Sequence, residues 1–298
     1  MPAKYFICPS GKTVKIETCL KTCSQRCMFL PTLRAIAKSS DRGLREPSVT
    51  ELIGGTREAY LKKITAYAVK PQDAVYAIHG SAVHTINEGY TEGNMLSEIR
   101  LKDEITSGKF DLYGQIIDHD EGVLGDIKVT SSYKIMKALG HYKIDVPTGE
   151  FFKTGVRKGQ PKSKKEWCYD GVKMVMEWAL QLNYYRILLE KQGFPVNKMV
   201  IQAMCRDNNL RVASERGIDQ SIYLIPIQKI SNRWIKRYFK TKARALQQAL
   251  NQKKLPSICK PRERWNGRKC KDYCSVAMQC PYGAEIQIQS GKFLPEVG

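Results

Sequence analysis

A chain of 298 residues with 49 Lys and Arg against 29 Asp and Glu has a formal charge of +20, yet 42% of it is hydrophobic. That composition excludes disorder over the whole chain and supplies enough apolar material for one large core or two ordinary ones. No run approaches the roughly 18 apolar residues of a membrane span, and MPAKYFICPSGK lacks the basic-then-apolar pattern of a signal peptide, so a soluble, cytoplasmic protein with no membrane contact is expected.

The first 38 residues read as a short cysteine-bearing module, too small for its own core and dependent on metal for order. Ser39-Ser40-Asp41-Arg42-Gly43 is a polar separator. Residues 48–67 then predict one helix, capped by Ser48 or Thr50, with Leu52, Tyr60, Leu61 and Ile64 at apolar spacing, and residues 72–90 a second. SEIRLKDEI, KFDLYGQIIDH and GVLGDIKVTSS switch to a period of two and predict a small sheet of antiparallel meander character. Residues 147–166, rich in Gly, Pro and Lys without periodicity, predict a mobile basic loop. Residues 170–192 predict the clearest helix, with Val172, Val175, Met176, Ala179, Leu180, Leu182 and Tyr185 on an apolar face. NKMVIQAMCR and SIYLIPIQ predict two more strands, and residues 231–252 a basic helix leading to a second cysteine group. The order of elements gives an α/β or α+β class: a core over 47–255 between cysteine modules at 1–38 and 256–298.

Eight of the ten cysteines fall in two quartets, Cys8, Cys19, Cys23, Cys27 and Cys259, Cys270, Cys274, Cys280. Reduced cytosolic thiols argue against a disulfide scaffold, and four thiolates satisfy zinc or an iron–sulfur cluster equally well in number. Cys168 and Cys205 stand apart and read as small buried hydrophobes.

The positive charge is uneven. Between Lys229 and Lys271 there are fifteen basic residues and one acid, Glu263. A solvated helix face explains such a run without function, and so does an anionic membrane surface, but no broad apolar face accompanies it, and nucleic acid is the favoured partner. Arg233, Lys236, Arg237, Lys240, Arg244 and Arg264 are the expected phosphate contacts. Trp234, Tyr238, Phe239 and Trp265 lie among them as stacking candidates, although packing into the core is the ordinary fate of such rings.

Chemistry concentrates in FDLYG, with Asp111, and Asp126-Ile127-Lys128. On a strand the period of two puts Asp126 and Lys128 on one face and Ile127 on the other. If the Asp111 strand pairs with this one across a turn at 119–125, the two carboxylates converge, and hard oxygen donors suit Mg²⁺ or Mn²⁺. An acid-x-Lys strand alone is weak, since any exposed alternating strand produces it. Three features add to it: His84 on the preceding helix as an imidazole ligand, Glu98 as a further carboxylate, and Gln181 and Tyr185 four apart on one helix face. Each also has an ordinary structural reading.

The series GSAVH (80–84), Glu98, FDLYG, DIK (126–128) and QLNYY (181–185), in that order, resembles a RecB-type PD-(D/E)XK nuclease domain. KCKDYCSVAMQC (269–280) resembles the closing cysteine trio of the iron–sulfur exonucleases of that superfamily, the AddB-type and CRISPR-adaptation enzymes. The resemblance runs from about Pro47 to Cys280. It implies a restriction-endonuclease-like core, a mixed central sheet flanked by helices. It also implies a divalent ion held by His84, Asp111, Asp126 and the Ile127 carbonyl, with Lys128 positioning water and Gln181, Tyr185 and Glu98 in support. The implied substrate is DNA cut from single-stranded ends, in recombination, repair, or phage or CRISPR DNA processing. Two departures stand out. The cysteine expected near the start of the nuclease domain is absent from Gly54-Gly55-Thr56-Arg57, so that Cys259 or a cysteine of the N-terminal group has to complete the second quartet, and the first quartet has no counterpart. A 4Fe–4S cluster on Cys259, Cys270, Cys274 and Cys280 and zinc on Cys8, Cys19, Cys23 and Cys27 are the expected cofactors. The rival readings are a zinc-stabilised nucleic-acid-binding protein on a retired nuclease scaffold, and a structure-specific endonuclease.

Overall fold

A computed structural model describes residues 3–40, 46–117 and 120–291. The protein is a mixed α/β chain with both parallel and antiparallel strand pairs. Among the described residues, no helix is long and apolar enough to cross a membrane. The chain divides into two compact units: residues 1–90, 100–109 and 231–298 form the first, and 91–99 with 110–230 the second. Both cysteine-bearing ends therefore group with residues 47–90 and 231–255, and the two acid-bearing strands fall in the other unit.

In chain order the first segment comprises β1 (Tyr5–Ile7), β2 (Thr13–Lys15), α1 (Ile16–Thr22), α2 (Leu30–Ser40), α3 (Val49–Ile53), α4 (Thr56–Ile64), β3 (Ala68–Val69) and α5 (Pro71–Gly89). β1 pairs antiparallel with β2 and parallel with β3, and Phe6, Cys19, Leu33 and Ile36 close a small core against Ala74 and Ile78 of α5. The single helix expected over 48–67 is two. Ser48 and Glu51 form a reciprocal capping box that starts α3, and Gly54-Gly55, both extended, break the helix before α4 begins. The polar separator's Asp41, Arg42 and Gly43 lie outside the described residues.

Next come β4 (Leu96–Ser97), β5 (Arg100–Lys102), β6 (Ser107–Lys109), β7 (Leu112–Gly114), β8 (Val123–Thr130), α6 (Ser132–Ala138), β9 (His141–Phe151), β10 (Pro161–Tyr169) and α7 (Met176–Lys191). They are followed by β11 (Lys198–Cys205), α8 (Arg211–Ser214) and β12 (Ile222–Pro226). The second unit's main sheet has the order β12-β11-β8-β7-β4. Its β4-β7-β8 portion is the expected antiparallel meander, but β11 joins β8 in parallel, Ile201 opposite Asp126, which makes the sheet mixed. β8 is central and its first five residues are buried, as a strand covered on both faces requires.

Two sequence expectations change here. Residues 147–166 are not a mobile loop: β9 and β10 pair antiparallel from His141↔Tyr169 to Phe151↔Pro161, and only the tip between them is a turn. Backbone pairing and lysine–aromatic contacts replace the apolar alternation that would have announced the strands. The helix expected from 170 starts at Met176, Val172 lies exposed before it, and Val175 is its N-cap. From Trp178 to Leu189 every residue of α7 is buried, polar ones included. Asn183 and Arg186 belong there because their side chains close orphaned backbone groups: Asn183 Nδ2 donates to the Gln228 carbonyl (3.0 Å), its Oδ1 accepts from Ile230 N–H (2.8 Å), and Arg186 Nη2 donates to the Ile230 carbonyl (3.0 Å).

The first unit ends with α9 (Asn232–Gln252), a short 3-10 turn at Trp265–Gly267, α10 (Arg268–Asp272) and α11 (Pro281–Gln289). Ile235, Phe239, Leu246 and Ala249 form the buried face of α9.

The Asn183 bridge gives a stability test. Asn183→Leu keeps the volume and removes the side-chain partner of two part-buried backbone groups, so denaturant unfolding should show a loss of about 2 kcal/mol; a loss under ~0.5 kcal/mol contradicts this role.

Candidate functional site

In the second unit β7 and β8 run antiparallel with Leu112 opposite Gly125, which brings Asp111 alongside Asp126-Ile127. Asp111 Oδ2 accepts the buried N–H of Ile127 at 2.7 Å. Asp126, 1% exposed, projects from the same face as Lys128, whose Nζ lies 2.6 Å from Oδ2. From α7, packed on β8, Gln181 Nε2 donates to Asp126 Oδ1 at 2.8 Å and also contacts Tyr185 Oη at 3.3 Å. Gln181 and Tyr185 are thus neighbours on one helix face, the expected consequence of their spacing. Ile127 is buried. The expected turn at 119–125 includes His119, which lies outside the described residues.

Glu98 occupies the bend between β4 and β5, not a strand, and its backbone N–H donates to the Asp111 carbonyl at 3.0 Å. Its φ of 53° is left-handed, a conformation that costs a non-glycine residue roughly 1–3 kcal/mol and clusters at functional sites. An oxygen of Glu98 lies within 4.8 Å of an oxygen of Asp111. His84 lies on α5 in the first unit.

The electrostatics assign roles. Burial disfavours the charged form of Lys128, but the carboxylates of Asp126 and Asp111 outweigh it and hold its pKa above the ordinary lysine value. Lys128 is therefore an ammonium at neutral pH: it can bind an anion or orient a water, and it has no lone pair with which to take a proton. Asp126 Oδ2, although ion-paired, has no aligned hydrogen-bond donor. The Lys128 ammonium is the counter-ion of that oxygen, and a carboxylate so deeply buried depends on it. Glu98 and Asp111 bring two hard carboxylate oxygens close together, the donor type that suits Mg²⁺ or Mn²⁺, and Asp126 lies beside Asp111 across the β7–β8 pair.

The cysteine quartets belong to the first unit. Cys259, Cys270, Cys274 and Cys280 line one small cavity of about 20 Å³, together with Arg57, Glu58 and Leu61 of α4. A Cβ placed on Gly55 would stand 2.3 Å from Cys259 Sγ, so the glycine leaves room for that sulfur. Arg57 Nη1 donates to Cys280 Sγ at 3.6 Å. Burial, then Glu58, pushes the Cys274 thiol up to about 12, and burial also raises Cys259 and Cys270. Such thiols are inert alone, and a metal is what would make them thiolates. Four soft donors around one cavity fit a sulfur-bound metal centre, zinc or iron–sulfur.

At the other end of the chain, Cys8 opens the β1–β2 turn, its N–H donating to the Lys12 carbonyl at 2.8 Å while Gly11 N–H donates back to its own carbonyl at 2.9 Å. Cys19 is buried on α1, Cys23 is that helix's C-cap, and Cys27 is exposed. Burial raises the Cys8 thiol, then the nearby Cys27 and Cys23; burial likewise raises Cys19, then Cys23, Cys8 and Cys27. The four sulfurs lie within electrostatic reach of one another. Cys205 is buried, in line with a small hydrophobe, and Cys168 is partly exposed on β10.

Of the expected phosphate contacts, Arg233, Lys236, Arg237, Lys240 and Arg244 are exposed along α9. Arg264 is partly buried, with its guanidinium over the Tyr282 ring and hydrogen-bonded to that phenol. Trp234 and Trp265 are exposed, Tyr238 stacks on Trp234, and Phe239 is fully buried. The sequence reading missed a charge relay that ties α4 to the C-terminal segment: Glu58 pairs with Lys62 and Lys269, each at 2.6 Å. It also missed Lys242, whose Nζ reaches Glu263 and the Gly54 carbonyl. The Gly54-Gly55 pair was the available signal for both, because it exposes a carbonyl and makes room for a sulfur.

Comparison with protein-family models, curated proteins and solved structures returned no match for this chain.

Burial alone would raise the Glu58 carboxyl, but Lys62 and Lys269 hold it down at about 2, against an ordinary 4.5. A depressed carboxylate contributes stability that is complete above its unfolded value and is lost as pH falls from about 4.5 towards 2. Glu58→Gln should cost about 3 kcal/mol at pH 7, with the gap to wild type narrowing below about pH 4.5 in thermal melts. A gap that widens on acidification contradicts the assignment.

Proposed function

We propose that this chain is a metal-dependent DNA nuclease of the RecB-type PD-(D/E)XK kind, with a restriction-endonuclease-like core, acting on single-stranded ends. The observation that carries the reading is the convergence of Asp111, just before β7, with Asp126 and Lys128 of β8 and Gln181 and Tyr185 of α7. Asp111, Asp126 and the Ile127 carbonyl would hold Mg²⁺ or Mn²⁺, with Glu98 in support. When bound, the ion supplies Lewis acidity to the phosphate and lowers the pKa of a bound water.

Phosphodiester hydrolysis adds a water oxygen to phosphorus and breaks the opposite P–O bond, with the water's proton passing to bulk solvent and the leaving oxygen taking a proton from it. Asp126 keeps one oxygen on the Gln181 amide, which fixes the carboxylate's orientation. Lys128, whose ammonium lies against Asp126, would orient the attacking water and offset negative charge developing on the phosphate. Tyr185 restrains the Gln181 amide from its far side. Exposed cations of α9, with Trp234 among them, would hold the strand through phosphate contacts and stacking.

Asp126→Asn and Lys128→Ala should each lower cleavage of end-labelled single strands about 10³-fold in Mg²⁺ or Mn²⁺ while leaving the fold and DNA affinity unchanged. Undiminished cleavage in either variant removes the assignment. Closed single-stranded circles should survive where linear strands are degraded, and cleavage of circles would make the enzyme an endonuclease.

For the cysteines, the reading assigns a 4Fe–4S cluster to Cys259, Cys270, Cys274 and Cys280 and zinc to Cys8, Cys19, Cys23 and Cys27. Anaerobically purified protein should be brown and carry both metals. Gly55→Ala, by crowding Cys259 Sγ, should remove iron and colour while zinc remains. Colourless wild-type protein holding zinc alone contradicts the cluster.

A further inference from the structure

The hairpin of β9 and β10 is long, paired from His141↔Tyr169 to Pro147↔Ser163 and again, after a bulge, at Phe151↔Pro161, and carries no core: no residue from His141 to Asp170 is buried. An isolated two-stranded ribbon is marginal in water, so one retained at this length calls for a partner. Its root is fastened, with His141 Nδ1 3.4 Å from the Arg216 carbonyl and the His141 ring edge-on to Tyr169. Its far half is different in composition. From Phe151 to Lys165 there are six basic residues, Lys153, Arg157, Lys158, Lys162, Lys164 and Lys165, and no acid. Among the described residues no carboxylate pairs with Lys153, Arg157 or Lys158 at the tip, which is shaped by Gly155 and Gly159 at positive φ. Cations stack on the ribbon's rings: Arg157 and Lys162 over Phe152, each 5.9 Å from its centroid, and Lys143 over Trp167 at 4.6 Å.

We propose that this ribbon is a second nucleic-acid contact, separate from α9, whose tip binds the phosphate backbone of a single DNA strand through Lys153, Arg157 and Lys158. The inference rests on the nuclease reading only for the identity of the polyanion. Unpaired cations at the tip, with rings among them, match a strand that offers phosphates and bases together. An anionic lipid surface offers the charge alone.

The test is binding of a fluorescein-labelled single-stranded oligonucleotide, followed by anisotropy across a salt series, in the full-length wild type and the variant K153A/R157A/K158A. Three lost phosphate contacts should make the slope of log K against log salt shallower by about two and weaken binding at least about tenfold at low salt. The charge-preserving K153R/K158R should bind like wild type. The proposal is overturned if the alanine variant keeps wild-type slope and affinity, or if wild type does not bind the oligonucleotide at low salt. It is also overturned if K153R/K158R loses binding as the alanine variant does, or if the variant's defect is confined to phosphatidylserine vesicles. A wild type that binds through the ribbon but never cleaves removes the nuclease reading and leaves the ribbon's role standing; one that cleaves with no ribbon dependence does the reverse.

Discussion

A carboxylate buried in the middle strand of a sheet is costly unless its charge and both oxygens are answered. For Asp126, Gln181 satisfies Oδ1 and the Lys128 ammonium is the counter-ion of Oδ2. Much of the second unit follows from this. β8 must be central to bury Asp126, β7 must lie beside it for Asp111 to take the Ile127 N–H, and α7 must be sunk into the protein so that an amide reaches the carboxylate. The deep burial of α7 then calls for Asn183 and Arg186 to cap the chain that leaves β12.

The first unit meets a different demand with similar means. Its C-terminal thiols are gathered by backbone positions that are hard to reach without help: a glycine at 55 makes space for Cys259, and Glu58 lies between two lysines that draw α4 and α10 together. The basic segment 229–271, which composition marks as one patch, divides accordingly. Lys242, Arg264 and Lys269 are spent on internal contacts, while the outer residues of α9 remain exposed.

What could be read from sequence follows the reach of the physics involved. Asp126, Ile127 and Lys128 were legible because strand periodicity is local, and Gln181 with Tyr185 because helical spacing is. The parallel partner of β8 was not, since Ile201 lies opposite Asp126 across 75 positions and no local pattern encodes that register. The ribbon was missed because its residues satisfy neither period: it buries nothing, and lysine, glycine and proline read as loop. Cys259 was recognised as a donor, but its proximity to Gly55 depends on how α4 meets the C-terminal segment. Glu98 was singled out as a carboxylate, while its left-handed backbone had no sequence signal.

The account turns on a divalent cation at Asp126 and Asp111, and Mn²⁺ binding followed by electron paramagnetic resonance addresses that without requiring turnover. Wild-type protein should take up Mn²⁺ in a site that Asp126→Asn and Asp111→Asn each abolish and that Mg²⁺ competes for. Equal Mn²⁺ uptake by wild type and both variants, or none by wild type, would contradict it.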